Sequence, residues 1–308
     1  MTADPVLQAA AGGPRPAVAP PLRPALVELA RSLPPLTGVD DIPRYRVAGK
    51  GRRVPIGQTA AELGLEAVEL RLGGMPATAL RPAGELRGRV LFLHGGGMVG
   101  GDRSSGADLL ARHAAELGIE VLALDYPLAP EHSLDAMTDA VLTAVRAVAG
   151  LPLVLAGHSG GGGLAAAVAL TARDADVPLD GLLLSCPMVG GAGTPSRAQF
   201  AADPSWGAGS DAAAWSAVLA GAEQARPGER DDLHGLPPTY LDVGAAELFR
   251  DDVLAFAARL LAAGNQAELH VWSGAFHASD CLVEEATVSI EAHRARREWL
   301  RRLLEGGL

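Results

Sequence analysis

A doubly wound α/β fold is what this sequence predicts, and three observations predict it. Short apolar runs of strand length recur at residues 90–93, 121–124, 153–156 and 182–184, as buried strands of a mostly parallel sheet do. Most of the stretches between them, 104–117, 134–149 and 162–173, are long enough for crossover helices. Third, Gly157-His158-Ser159-Gly160-Gly161 stands between one apolar run and an alanine-rich helical stretch. That strand, turn and helix would expose a serine hydroxyl at a helix N-terminus. Small residues are needed on both sides because such a turn is strained and crowded.

Taken in order, residues 1–21 are rich in Ala, Pro and Gly, with prolines at 5, 14, 16, 20 and 21, and read as a flexible lead-in. Residues 24–33 predict a short helix, with Pro24 in its first turn and Pro34-Pro35 stopping it. No single pattern claims 36–64. Residues 66–72 alternate Val68, Leu70 and Leu72 with charged partners, and 77–80 follow the Gly73-Gly74 turn, which predicts an antiparallel hairpin. After the repeated strand-and-helix rhythm, residues 187–235 break it. They carry Gly190-Gly191, Gly193, Trp206, Trp215 and a charged run at 229–232, and read as an insertion covering the C-terminal edge of the sheet. The rhythm resumes with a strand at 239–243, an amphipathic helix at 252–263, a strand at 267–272 and a helix at 283–304. Residues 1–65 are therefore expected to be lead-in and cap segment. Residues 66–308 would form the catalytic domain, with a cap insertion at 187–235.

The composition excludes several functions. The chain has 308 residues, 48% hydrophobic and 20% charged, enough for a large core. No apolar run approaches the ~18 residues of a membrane helix, so no membrane span is expected. Net charge is −10, Lys50 is the only lysine, and no basic stripe stands out, which excludes nucleic acid as a partner. Cys186 and Cys281 fit no metal-ligand or redox spacing; each reads as a small buried hydrophobe, and no metal is expected. The N-terminal residues, Met-Thr-Ala-Asp-Pro, carry no charged n-region with an apolar core, so no secretory signal is visible and a cytoplasmic location is expected. Oligomeric state stays open.

With 38 glycines in the chain, a Gly-x-Ser-x-Gly pattern can arise by chance, so context must decide. A rival lies at His94-Gly95-Gly96-Gly97-Met98-Val99-Gly100, where Gly95-x-Gly97-x-x-Gly100 satisfies a dinucleotide fingerprint. Asp125 ends the next strand where a ribose-binding acid would sit. A nicotinamide-dependent oxidoreductase is thus one alternative. Against it, the residues after Gly100 postpone any helical pattern, whereas a dinucleotide helix should start within the glycines. A nucleotide triphosphate loop fails because Lys50 is near neither cluster.

Three motifs in sequence, His94-Gly95-Gly96-Gly97, Asp125-Tyr126-Pro127-Leu128-Ala129-Pro130-Glu131 and Gly157-His158-Ser159-Gly160-Gly161, resemble the hormone-sensitive-lipase-like branch of the α/β-hydrolases over about residues 66–304. The resemblance implies an α/β-hydrolase fold with N-terminal helices contributing to a cap, and a serine esterase or lipase that acts on a small-molecule ester without a cofactor. The chain departs from the family with Pro127 where Arg is usual, and with His158-Ser159-Gly160 where Asp-Ser-Ala is usual. A residue at the position of His158 generally points away from the nucleophile, which makes it structural rather than the base.

In this fold the order is serine, acid, histidine. Ser159 is the expected nucleophile. His270 falls inside a predicted strand and His293 on the final helix, so His277, in the loop after the last strand, is the expected base, and the family's histidine motif matches there too. Asp242, Glu247, Asp251 and Asp252 all lie near the end of the preceding strand. Asp242 belongs to the strand, and Asp251 and Asp252 open a helix, where carboxylates cap backbone N–H groups. Glu247 lies between, in a stretch resembling the family's acid motif, and is the favoured acid. The resemblance also implies an oxyanion hole of Gly96 and Gly97 N–H groups, joined by Gly160, the residue after the nucleophile. Met98, Trp206 and Trp215 are the candidate pocket residues. A catalytically silent ligand-binding relative, like the plant gibberellin receptors that resemble this family, is a further alternative, although such relatives lack a complete triad.

Overall fold

The computed structural model describes residues 14–50, 54–148, 150–191 and 193–308. Strands β1 (Glu66–Leu72), β2 (Met75–Arg81), β3 (Gly88–Leu93), β4 (Ile119–Leu124), β5 (Leu153–His158), β6 (Gly181–Ser185), β7 (Thr239–Gly244) and β8 (Ala267–Trp272) form one sheet. Its spatial order is β1-β2-β4-β3-β5-β6-β7-β8. The β1–β2 hairpin closes with Leu72 opposite Met75, and β2 runs antiparallel to β4, while β3 to β8 are parallel. This is a mostly parallel doubly wound sheet, as the sequence predicts and as the family resemblance implies.

Alternating side chains of the central strands feed two cores. Val90, Phe92, Val121, Ala123, Val154, Ala156 and Leu183 face one side. There they meet helices α3 (Ile56–Glu62), α4 (Asp108–Leu117) and α11 (Thr287–Leu304), through residues such as Ala60, Leu110 and Trp299. Leu91, Leu93, Leu122, Leu155, Leu182 and Leu241 face the other. That side is covered by α5 (Leu134–Ala147), α6 (Gly160–Asp174) and α9 (Arg250–Ala262). Strands covered on both faces have no reason to alternate polar with apolar, which is why they appear as unbroken apolar runs.

Two expectations, the free lead-in and the single last helix, need correction, and two other stretches gain their elements. Residues 1–13 of the expected lead-in lie outside the described residues, but from residue 14 the chain is packed rather than free: Val18 and Leu22 are buried, and Ala19 N donates to Gly274 O at 2.9 Å. After α1 (Arg23–Ser32), the unassigned stretch holds α2 (Ile42–Lys50) as well as α3. The insertion contains α7 (Pro195–Gln199) and α8 (Ala208–Val218). Finally, the expected last helix is two, α10 (Ser279–Leu282) and α11, separated by Val283 to Ala286. Among the described residues no helix is long and apolar enough to cross a membrane.

Candidate active site

Adjacent strands bring the two glycine motifs together. β3 and β5 are paired in register, Leu93 opposite Gly157, and the chain leaves β3 toward β4 on one side and β5 toward β6 on the other. Such a switch point opens a crevice at the C-terminal ends of the strands. The loop after β3 and the turn after β5 share it.

Ser159 sits at φ +54° and ψ −118°, a region few L-residues adopt. The surrounding backbone fixes it: Ser159 N donates to Ser185 O at 2.9 Å, and Ser159 O accepts from Gly163 N and Met188 N, both at 3.0 Å. The glycines are needed for close approach. A Cβ on Gly157 would lie 2.2 Å from Gly161 O, and one on Gly161 would lie 2.1 Å from Leu93 O. Gly160 is pressed against the other motif, since a Cβ there would be 2.6 Å from Met98 N and 2.7 Å from Gly97 N. The N-terminus of α6 therefore meets the loop after β3 backbone to backbone.

The loops after β7 and β8 supply the partners. Ala245 N donates to Trp272 O and Ala246 N to Ala275 O, both at 2.9 Å, so the two loops are laced together. His277 leaves this junction buried, with Phe249 edge-on to its ring at 5.1 Å. Its Nε2 is 2.8 Å from Ser159 Oγ. Its Nδ1 is 3.3 Å from Glu247 Oε2, within ion-pair distance but too poorly aligned for a hydrogen bond. Hydrogen bonds of this kind are often long in a free site and tighten around a substrate. Burial pushes the Glu247 carboxyl above its ordinary pKa, opposed by His277. A hydroxyl bonded to an imidazole, itself against a carboxylate, is equipped for nucleophilic catalysis.

The other acids are engaged elsewhere. Asp242 lies in β7 and is gripped by Arg296, whose Nε donates to its Oδ2 at 2.8 Å. Asp251 and Asp252 do not cap their own helix as expected. Asp251 accepts from Ser196 N at 2.7 Å, and Asp252 accepts from Arg197 Nε at 2.9 Å, so both hold α7 of the insertion. They face that way because the insertion packs over the start of α9. Asp125, the candidate ribose acid, instead accepts from Arg103 N at 2.7 Å and Arg103 Nη1 at 3.1 Å. No helix follows Gly100 until α4 opens at Asp108, so the dinucleotide alternative lacks its helix N-terminus.

Gly96 and Gly97 take φ values of +117° and +64° in the loop after β3. Trp206 packs directly on this loop, with its ring where a Cβ on Gly97 would be 2.5 Å away. A cavity of about 230 Å³ opens over Ser159 and His277, walled by Leu29, Leu33 and Tyr45 of the N-terminal segment and by Trp206 of the insertion. A second space of about 530 Å³ shares Leu33, Tyr45 and Trp206. Trp215 and Met98 lie elsewhere. Trp215 is buried in the core with the Arg226 guanidinium 5.2 Å from its ring, and the Met98 side chain is wholly enclosed.

His158 lines the same cavity as Ser159, with its ring stacked 6.1 Å from that of His277. The His158 Nε2 lies 3.3 Å from Cys186 Sγ and 3.6 Å from Cys281 Sγ, bringing together cysteines far apart in sequence. Burial drives the His158 pKa down to about 3 and both thiols well above their ordinary value, which suits neutral S–H and imidazole partners. Among the described residues two groups could offer three metal ligands within 4.8 Å, His158 with Asp280 and the half-buried Cys281, and the buried Cys186 with Glu247 and His277. Asp280, however, is bound by Arg296 Nη1 at 2.5 Å, and the second group contains the Ser159 partner itself.

Fold and site together define a class: enzymes of the serine carboxylesterase and lipase type. A family model for the alpha/beta hydrolase fold matches residues 90–280. Esterase LipI of Mycobacterium tuberculosis is 34% identical over 199 residues, covering 59% of this chain and 62% of LipI. An acetyl-hydrolase of Streptomyces hygroscopicus is 31% identical over 226 residues, 67% of this chain and 73% of the relative. Among solved structures, a bacterial heroin esterase superposes with a TM-score of 0.80 at 29% identity, covering 94% of this chain and 98% of the other. The chain belongs to the α/β-hydrolase family, in its hormone-sensitive-lipase-like carboxylesterase branch.

Proposed function

We propose that this chain hydrolyses small carboxylic esters of short acyl chain through an acyl-enzyme on Ser159. The observation that carries the reading is the 2.8 Å contact between Ser159 Oγ and His277 Nε2 at the floor of the cavity. In the first half-reaction His277 Nε2 takes the hydroxyl proton as Ser159 Oγ attacks the ester carbonyl. The tetrahedral oxyanion is received by the N–H groups of Gly96, Gly97 and Gly160, aided by the N-terminal end of α6. Collapse expels the alcohol, which leaves with the proton from His277. Water, deprotonated by the same nitrogen, then attacks the acyl carbonyl and frees the acid and Ser159. Glu247 holds the His277 tautomer and offsets the imidazolium charge.

The N-terminal helices and the 187–235 insertion serve as the cap, since both contribute walls to the cavity. About 230 Å³ is small for a binding pocket, which favours acetyl to butyryl esters over long chains. The name of one relative, an acetyl-hydrolase, supports the same size class. The test is a series of p-nitrophenyl esters of increasing acyl length with the wild type and Ser159→Ala, alongside mass mapping of a fluorophosphonate adduct. The expected outcome is preference for the shortest acyl groups, abolition of turnover in Ser159→Ala, and an adduct on Ser159. An adduct on another serine, or full turnover by Ser159→Ala, overturns the reading.

A further inference from the structure

The loop carrying Gly96 and Gly97 is not held by the sheet alone. It folds back on itself, Gly96 O accepting from Gly100 N at 3.0 Å and Val99 N at 3.2 Å. Gly96, Gly97 and Met98 all have positive φ, a succession that surrounding contacts must enforce. One contact is Ala129 N, which donates to Met98 O at 2.9 Å. Another comes from far away in sequence. Arg46, on α2, donates from Nε to Val99 O and from Nη2 to Ala129 O, both at 2.7 Å. The same guanidinium reaches both carboxylate oxygens of Glu131 at 2.7 Å. Beside it the Tyr45 ring covers Gly100, where a Cβ would come within 2.9 Å. One planar fork thus joins the glycine loop, the Ala129-Pro130-Glu131 stretch and the N-terminal segment, a geometry that an ammonium cannot reproduce.

We infer that Arg46 is a positioning residue that sets the oxyanion-binding amides of Gly96 and Gly97, so that stabilisation of the transition state depends on the docked N-terminal helix. This rests on the role proposed above for those amides. The Glu131 carboxylate is half-exposed, and exposed pairs add little to folding stability. Arg46 also donates charged hydrogen bonds to two part-buried backbone carbonyls, so its loss lowers stability as well as disturbing the loop, and the effect on geometry is read from kcat on the folded variant. A displacement of about 1 Å in a catalytic group can lower the rate ~10²-fold.

The test compares Arg46→Ala, Arg46→Lys and Ser159→Ala with the wild type on one short ester. Arg46→Ala is expected to lower kcat roughly 10- to 100-fold with KM nearly unchanged, and to slow fluorophosphonate labelling of Ser159 by a similar factor. Its urea midpoint should fall, while the loss of kcat persists in the folded variant well below that midpoint. Millimolar guanidinium should restore part of the lost kcat, methylammonium should not, and Arg46→Lys should remain impaired. A wild-type kcat in Arg46→Ala, or a loss confined to KM or to the urea midpoint and indifferent to guanidinium, overturns the inference. Persistent activity in Ser159→Ala would instead overturn the underlying mechanism. An inactive Ser159→Ala beside an unaffected Arg46→Ala would overturn only the role of Arg46.

Discussion

Ser159 keeps a conformation that costs free energy, at φ +54°, and Gly157, Gly160 and Gly161 leave the space it needs. Neighbouring contacts also decide which carboxylate faces His277. Glu247 alone among the four candidates lies against the imidazole, while Asp242 is bound to Arg296 and Asp251 and Asp252 bind the insertion. Glu247→Gln is nearly isosteric but loses the charge and admits the wrong tautomer, so kcat is expected to fall toward the ~10⁴-fold seen when a triad acid becomes its amide. Asp252→Asn weakens the bond to Arg197, which keeps Asp211 through a 2.6 Å contact. Its expected effect is a stability loss of about 1.5–3 kcal/mol, as for hydrogen bonds to charged groups, with kcat unchanged. Paired kcat and urea-midpoint measurements check both; a larger catalytic loss in Asp252→Asn would reject Glu247 as the acid.

At the scale of elements, the insertion and the N-terminal helices meet over the cavity through Trp206 and Tyr45, whose rings lie edge-to-face with centroids 6.3 Å apart. Trp206 also packs on Gly97 and lines both the cavity over Ser159 and the larger neighbouring space, so shortening it should merge them. Trp206→Ala is therefore expected to raise kcat/KM for octanoyl relative to acetyl p-nitrophenyl esters, whereas Trp215→Ala should lower stability and leave the ratio alone. An unchanged ratio in folded Trp206→Ala rejects this role. The contrast between the two tryptophans shows what the sequence could not convey, because composition makes both look like pocket walls and only packing separates them. The strands were legible because burial on both faces leaves continuous apolar runs. Helices α2 and α3 were not, since α2 buries only Ile42 and α3 only Ile56, Thr59 and Ala60, too few for a readable period. The placement of Ser159, His277 and Glu247 in one site could be read from motif order, loop position and the family resemblance together. Arg46 could not, because its partners lie 53 to 85 residues away and no local spacing announces them.

For the whole molecule, buried histidines set the acid limit of stability. His113 on α4 and His293 on α11 face each other with ring centroids 6.3 Å apart, and His158 stacks 6.1 Å from His277. Burial lowers their pKa values to about 3, 4 and 3 respectively, and nearby arginines, Arg112, Arg296 and Arg297 at His113, push the same way. Each folded-state value lies below the unfolded value of 6.5, so the native state binds fewer protons in between. The stability these neutral rings confer is complete above pH 6.5 and is lost as pH falls through that value, the loss continuing until the folded groups themselves protonate near 4 and 3. Three such protons give a slope of about 4 kcal/mol per pH unit at most. Buried carboxylates with raised pKa, Glu247 and Asp242 among them, oppose it toward the acid end of the range. The urea midpoint should accordingly drop between about pH 7.5 and about pH 5. Replacing His113 and His293 together by Gln should flatten that drop by up to about two-thirds, because two of the three protons no longer bind on unfolding. A midpoint that does not change with pH in the wild type, or an undiminished drop in the double variant, would show that these rings do not govern acid unfolding.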